Sequence, residues 1–287
     1  MPNLKEIRNR ISSVKSTMQI TSAMKMVSAA KLKKAQDAIT AMRPYADKLT
    51  ELLQSLSASL DADSGSKFAE QPEVNNVLIV AITSNRGLCG AFNSNIIKEV
   101  TRLSNESYSD KNVTLLTIGK KGNDILSKTF DVVGNHNELF DDLTFDNVAQ
   151  VAQTLMNAFE EGNYDRIEIV YNRFKNAATQ IVTTEQFLPI VPVEGENTNQ
   201  NTDYIFEPSK ERIVEELIPK SLKTQLFKAI RDSFASEHGA RMTAMHKATD
   251  NAGELRDSLT LTYNKARQAA ITNEILEIVG GAEALNN

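Results

Sequence analysis

Apolar residues at the amino-terminal end recur at alternating steps of three and four: Leu4, Ile7, Ile11, Val14 and Met18, then Leu32, Ala35, Ile39, Met42, Ala46, Leu49, Leu53, Leu56 and Leu60. This is the spacing of a coiled-coil seam, and it predicts one helix from residue 3 to about residue 58. Asn3 is a suitable N-cap, and Glu6 can reach back toward the free amides of the first turn. Pro44 forfeits one backbone bond and should bend the helix without ending it. At ~1.5 Å per residue such a helix is roughly 80 Å long, more than one small domain can bury.

The far end mirrors this pattern. Pro208 and Pro219 punctuate its start, and no proline follows. Phe227, Ile230, Phe234, Met242, Met245, Ala252, Leu255, Leu259, Tyr263, Ala266 and Ala270 recur near the helical period, which predicts a helix from Lys220 to Leu285. Small residues near its end, Ala266, Ala269, Ala270, Ala282 and Ala284, let a partner backbone come close. Two long amphipathic helices at opposite ends of a chain most simply pair, and the intervening chain must return, so the pairing is antiparallel.

One stretch departs from a single apolar face. In ITSAMKMVSAAKLKKAQ (20–36), Ile20, Met24 and Val27 make one stripe and Ala23, Met26 and Ala30 another, while the seam register falls on Thr21, Lys25 and Ser28. An ordinary surface helix shows one apolar stripe and one wet face. This segment has almost no wet face.

Between the helices the period changes. Residues 76–83, 113–119, 166–172 and 179–188 read as strands, and 91–103 and 146–161 as helices. The alternation predicts an α/β layer with mixed strand directions. GENTNQNTD (195–203) is polar and is expected to be a mobile insert. The fold expected is therefore α/β: a long antiparallel coiled coil of the terminal helices plus a central Rossmann-like α/β domain. Its segments are 1–60, 61–208 and 209–287.

Composition narrows the class. The net charge of −5 conceals an asymmetry: residues 1–60 carry ten positive and four negative side chains, 61–207 eleven and twenty-two, and 208–287 eleven of each. A basic helical arm suits nucleic acid, anionic lipid or an acidic protein surface, but the acidic middle disfavours nucleic acid. The longest apolar run, Val77 to Ile82, is far short of a membrane span, and the first residues carry no apolar signal core. One cysteine, Cys89, excludes an internal disulfide framework. Together these features predict a soluble intracellular chain.

Candidate chemistry is sparse. SNRGLCGAFNSN (84–95) lies between a strand and a helix, where glycine-rich turns often cradle phosphate, but it lacks the Gly-Lys-Ser/Thr of a P-loop. Cys89 near a helix start could be an activated nucleophile, though no histidine is near it in sequence. An α/β enzyme using the 84–93 turn is thus one reading, and a structural strand-to-helix turn the other. His238 and His246 are roughly 12 Å apart on a continuous helix, too far to share a metal, and are expected on the helix surface. Glu274 and Glu277 share a helix face and read as solvated charge. Gly280 and Gly281 weaken a helix and suggest close packing or helix ending. No cofactor or metal is expected, and the residues alone describe a structural or force-transmitting interaction protein.

ITNEILEIVGGAEA (271–284) resembles the signature of the γ subunits of F-type ATP synthases: Ile-Thr, a Glu two residues on, an acidic residue three later, and Gly-Ala near the end. The segments 20–36, SNRGLCGAFN (84–93), SEHGARMTAMHKATDNAGEL (236–255) and LTYNKARQAAITNE (261–274) resemble the same family in the same order. The resemblance covers essentially the whole chain.

The resemblance implies that the paired terminal helices form a shaft turning inside a ring of α and β subunits. Proton flow turns the membrane c-ring, and the central domain rests near the membrane with the ε subunit and the c-ring. Ring-coupling contacts would be Met24, Lys25, Lys31, Lys33 and the neighbouring Lys34, with Arg241, Gln268, Thr272, Glu274 and Glu277 near the ring's catch. The tip, with Ile278, Val279 and Leu285, would sit in an apolar bearing. No catalytic site is implied, nor a thiol switch of the chloroplast type. The expected place is the cytoplasmic face of a bacterial inner membrane, peripherally bound.

Overall fold

In the computed structural model, residues 4–57, 68, 70–190 and 210–285 are described. The expected insert 195–203 lies outside them. Helix α1 spans Leu4–Ser57 and runs through Pro44. Helix α5 spans Lys210–Leu285 and runs through Pro219, so it starts ten residues earlier than the periodicity indicates. A helix survives an internal proline at the loss of a backbone hydrogen bond when packing holds it on either side. Here Ile218 and Leu222 flank Pro219 in the core.

Five strands form one sheet: β1 (Asn76–Ile82), β2 (Asn112–Ile118), β3 (Asp131–Asn135), β4 (Arg166–Phe174) and β5 (Gln180–Leu188). Their order is β3-β2-β1-β4-β5. β1, β2, β3 and β4 run parallel, and β5 returns antiparallel beside β4. Helices α2 (Phe92–Arg102), α3 (Lys120–Leu126) and α4 (Phe145–Glu160) supply the crossovers. A π-helical turn, Leu103–Ser107, extends α2. Four of these strands match the expected segments. β3 was not anticipated, because DVVGN is short and half-exposed at an edge. α3 was not anticipated either, being seven residues with an internal glycine.

β1 is central and fully packed, which explains its unbroken apolar run. Leu78, Val80 and Ile82 face a core built with α4 and α5. Val77, Ile79 and Ala81 face the opposite core, built with Ile96 and Val100 of α2. On the first face α5 contributes Ile218, Leu222, Leu226 and Ile230. At about 1.5–3 kcal/mol each, an upper bound, these four amount to something on the order of the net stability of a whole domain. The foot of α5 is therefore integral to the α/β layer.

The chain divides into two units. One joins Met1–Ser28 with Met242–Asn287, and the other comprises Ala29–Arg241.

Candidate coupling surface

In the unit formed by the ends of the two long helices, the seam register holds. Ile7, Thr21 and Ser28 are buried, and Leu4, Ile11, Val14, Met18 and Lys25 are half-buried. The Thr249 hydroxyl donates to that of Thr21 at 2.8 Å, and Lys25 Nζ lies 3.4 Å from Nδ1 of His246. The same nitrogen lies 3.3 Å from the Asp250 carboxylate, and the tautomer decides whether it accepts from Lys25 or donates to Asp250. Arg256 approaches the Met18 sulfur at 3.9 Å, so partner numbers rise along α5 as they fall along α1. The helices are antiparallel. Continued at one residue per residue, this register brings Leu4 level with about residue 266.

Two consequences follow for the surface. Around the polar seam, Ile20, Met26 and Val27 stand 60, 65 and 58% exposed, as large apolar side chains with no cover. Met24 is half-buried. Beyond the end of α1, every residue from Ile271 to Ala282 is exposed. That tip carries Thr272, Glu274, Glu277, Ile278 and Val279, with Gln268 exposed just before it. Thr272 donates to the Gln268 carbonyl one turn back at 3.0 Å. Leu285 ends the helix, its side chain outside the described residues. Gly280 and Gly281 neither end the helix nor pack closely, since a Cβ on either would meet nothing within 4 Å.

In the larger unit, Lys31, Lys33 and Lys34 are exposed on α1, and Lys33 pairs with Asp37 at 3.0 Å. Arg241 is placed differently. It is 7% exposed, and its guanidinium donates to the carbonyls of Arg86 and Gly87 and to the Glu237 carboxylate. The sequence reading did not connect Arg241 with the 84–93 turn. A link between residues 154 and 155 positions apart leaves no local signal.

The turn is closed on itself. Ser84 donates its hydroxyl to the Arg86 carbonyl at 2.7 Å, and Asn93 accepts from the Ser84 amide at 2.9 Å. Leu88 and Gly90 both adopt left-handed backbone conformations. Cys89 is 2% exposed in a small cluster with Phe92 and Ala240. Burial pushes its thiol above the ordinary value, with the Ser84 hydrogen bond and Arg241 pulling the other way. A thiol held protonated is a poor nucleophile.

In open α/β sheets, ligands usually sit beyond the carboxyl ends of the strands where the strand order reverses. Here that place lies between β1 and β4. α5 itself occupies it: Arg241 takes the loop after β1, and Gly239 lies against the loop after β4, where an added Cβ would stand 3.1 Å from the Ala177 carbonyl oxygen. Neighbouring His238 corrects the expectation of a helix-surface residue. It is buried, edge-on to Phe234 with ring centroids 4.5 Å apart. Burial first, then Lys31 and Arg241, push its imidazole down to about 4. Among the described residues no group of acidic, histidine or cysteine side chains could hold a metal ion.

The family model for ATP synthase matches residues 3–285. The ATP synthase gamma chain of Flavobacterium psychrophilum is 73% identical over 285 residues, covering 99% of each chain. The chain belongs to the ATP synthase γ chain family.

Among solved structures, the central stalk/c-ring of the Tetrahymena thermophila mitochondrial ATP synthase is 26% identical, with a TM-score of 0.58 over 80% of this chain and 99% of that one. The rotor of the Euglena gracilis enzyme shares the fold at 24% identity, with a TM-score of 0.66 over 93 and 98%. As a γ chain, the protein is a subunit of a rotary complex. Among its described residues no helix is long and apolar enough to cross a membrane.

Proposed function

We propose that the chain is the central rotor shaft of an F-type ATP synthase, coupling proton-driven rotation of a membrane c-ring to ATP synthesis, or the reverse, and that it has no catalytic site of its own. The observation that carries this is the uncovered tip of α5. A helix exposing Ile271, Ile275, Leu276, Ile278 and Val279 together needs a partner that encloses it. An apolar sleeve in a ring of α and β subunits supplies one, with Ile278, Val279 and Leu285 as the bearing.

Met24, Lys25, Lys31 and Lys33 on one helix, and Gln268, Thr272, Glu274 and Glu277 on the other, are the contacts we assign to the ring. Arg241 is buried against the 84–93 turn, where its guanidinium holds the carbonyls of Arg86 and Gly87. The basic arm 1–60 suits acidic segments of the β subunits, and the central segment 61–208 faces the ε subunit and the c-ring, with 209–287 as the second shaft helix. A rotating asymmetric shaft shifts three catalytic subunits only insofar as it contacts their conformations differently. The chain would work at the cytoplasmic face of a bacterial inner membrane, held there through its partners. The enzyme reading of the 84–93 turn loses its footing with Cys89 buried and the sheet's ligand crevice occupied by α5.

The test is the native mass of complexes recovered from membranes through a tag on this chain. One copy with three copies each of two larger nucleotide-binding chains is expected. Recovery of the chain alone or as a small homo-oligomer would overturn the shaft assignment. Charge reversals at Lys25 and Glu274 are then expected to lower coupling in the assembled complex.

A further inference from the structure

The foot of α5 holds a feature that ring contact does not explain. Glu237 and Arg241 are one turn apart and nearly fully buried, at 8 and 7% exposed. Burying an ion pair is costly, and an apolar pair of similar volume would commonly serve stability as well or better. The pair does something an apolar contact cannot. Apolar burial is non-directional and tolerates sliding, whereas hydrogen bonds to fixed carbonyls have one register. The guanidinium has two such carbonyls, of Arg86 and Gly87, and its third bond goes to Glu237 Oε1. Those carbonyls belong to a turn that is itself held by Ser84, Asn93 and the left-handed Leu88.

Adjacent residues of α5 complete the grip. Ala240 packs on Cys89 inside the same turn, and Gly239 lets the helix close on the backbone of Ala177. Residues 237–241 thus engage the loops following both β1 and β4. Arg241 is also the last residue of the larger unit.

We propose that Glu237 is a positioning residue for torque transfer: its carboxylate aims the Arg241 guanidinium at the Arg86 and Gly87 carbonyls and so locks α5 in angle against the α/β layer. Load applied to the layer then reaches the helix through directional bonds rather than through a slipping apolar contact. This rests on the shaft assignment above and adds a residue with no surface to offer the ring.

The test uses the whole complex in sealed vesicles, comparing wild type with Glu237→Gln and Arg241→Lys. Gln keeps the volume and a neutral acceptor. Lys keeps the charge but lacks the fork that reaches two carbonyls. Both variants are expected to assemble and to hydrolyse ATP within about twofold of wild type, while protons pumped per ATP fall at least threefold. Unchanged pumping per ATP in Glu237→Gln would overturn the proposal, and with Arg241→Lys alone impaired it would assign Arg241 to direct ring contact. Loss of assembly in both variants would also overturn it, making the pair a folding element. Failure of the wild-type chain to assemble with nucleotide-binding subunits would instead remove the shaft assignment itself.

Discussion

The Thr249 hydroxyl donates to the Thr21 hydroxyl at 2.8 Å, a polar pair in the stretch where the seam register falls on Thr21, Lys25 and Ser28. Thr21 passes its own proton to a carbonyl of its helix, at 3.0 Å from Thr17 and 3.1 Å from Met18. Thr249 likewise has a carbonyl of its own helix, that of Met245, at 2.8 Å, so what the pair adds is the bond between the two helices. Thr21→Val and Thr249→Val are each expected to lower stability by about 0.5–1.5 kcal/mol, and the double variant to recover most of the loss. Denaturant unfolding of the four proteins gives the cycle, and strictly additive losses would show that the hydroxyls do not interact.

Gly119 is required where Gly280 is not. Its φ is +109°, and a Cβ there would stand 2.2 Å from the Thr83 carbonyl oxygen. Gly119→Ala is expected to cost about 3–5 kcal/mol in thermal or denaturant unfolding. Gly280→Ala meets nothing and should add about 1 kcal/mol of local helix stability, read as slower amide exchange near residue 280.

Acid should remove the contribution of His238 to the foot of α5. His238 stays neutral in the folded chain down to about 4, whereas the unfolded imidazole takes up its proton near 6.5. Between those values the unfolded state binds more protons, so this residue's contribution to stability is full above about pH 6.5 and is lost as pH falls toward 4. Glu237 and Asp232, both raised by burial, act in the opposite sense. His238→Gln isolates the imidazole: its stability should fall less than that of wild type between pH 7 and pH 5. Parallel curves would refute the assignment.

The long-helix register was legible because it repeats: the steps from Leu4 to Leu49 are positions that are buried or half-buried along α1. β1 was legible for its composition and β4 and β5 for their β-branched and aromatic residues. What stayed hidden was tertiary. His238 looks like any polar helix residue until the aromatic ring of Phe234 closes on it. Arg241 reads as a surface cation until the turn at Arg86 folds over it. The candidate contacts at the helix tip owe their recognition to family motifs, since exposed Glu274 and Glu277 carry no physical mark of a partner.

Cys89 should resist thiol reagents while the chain is folded. It is buried, and its thiol is pushed above the ordinary value. Alkylation at pH 8 is expected to run at least tenfold slower in the native chain than in denaturant. Comparable rates would place the sulfur at the surface and reopen the enzyme reading.

The core shared by the sheet and α5 also sets an order in time. The sheet is complete by Leu188, and α4 covers part of the face formed by Leu78, Val80, Ile169 and Tyr171. The remainder is sealed by Ile218 through Ile230, which leave the ribosome only after every strand has been made. A nascent chain therefore holds all five strands before it holds the helix that completes their core, and translation stalled between residues 188 and 218 would leave those apolar residues open to chaperones or to other nascent chains.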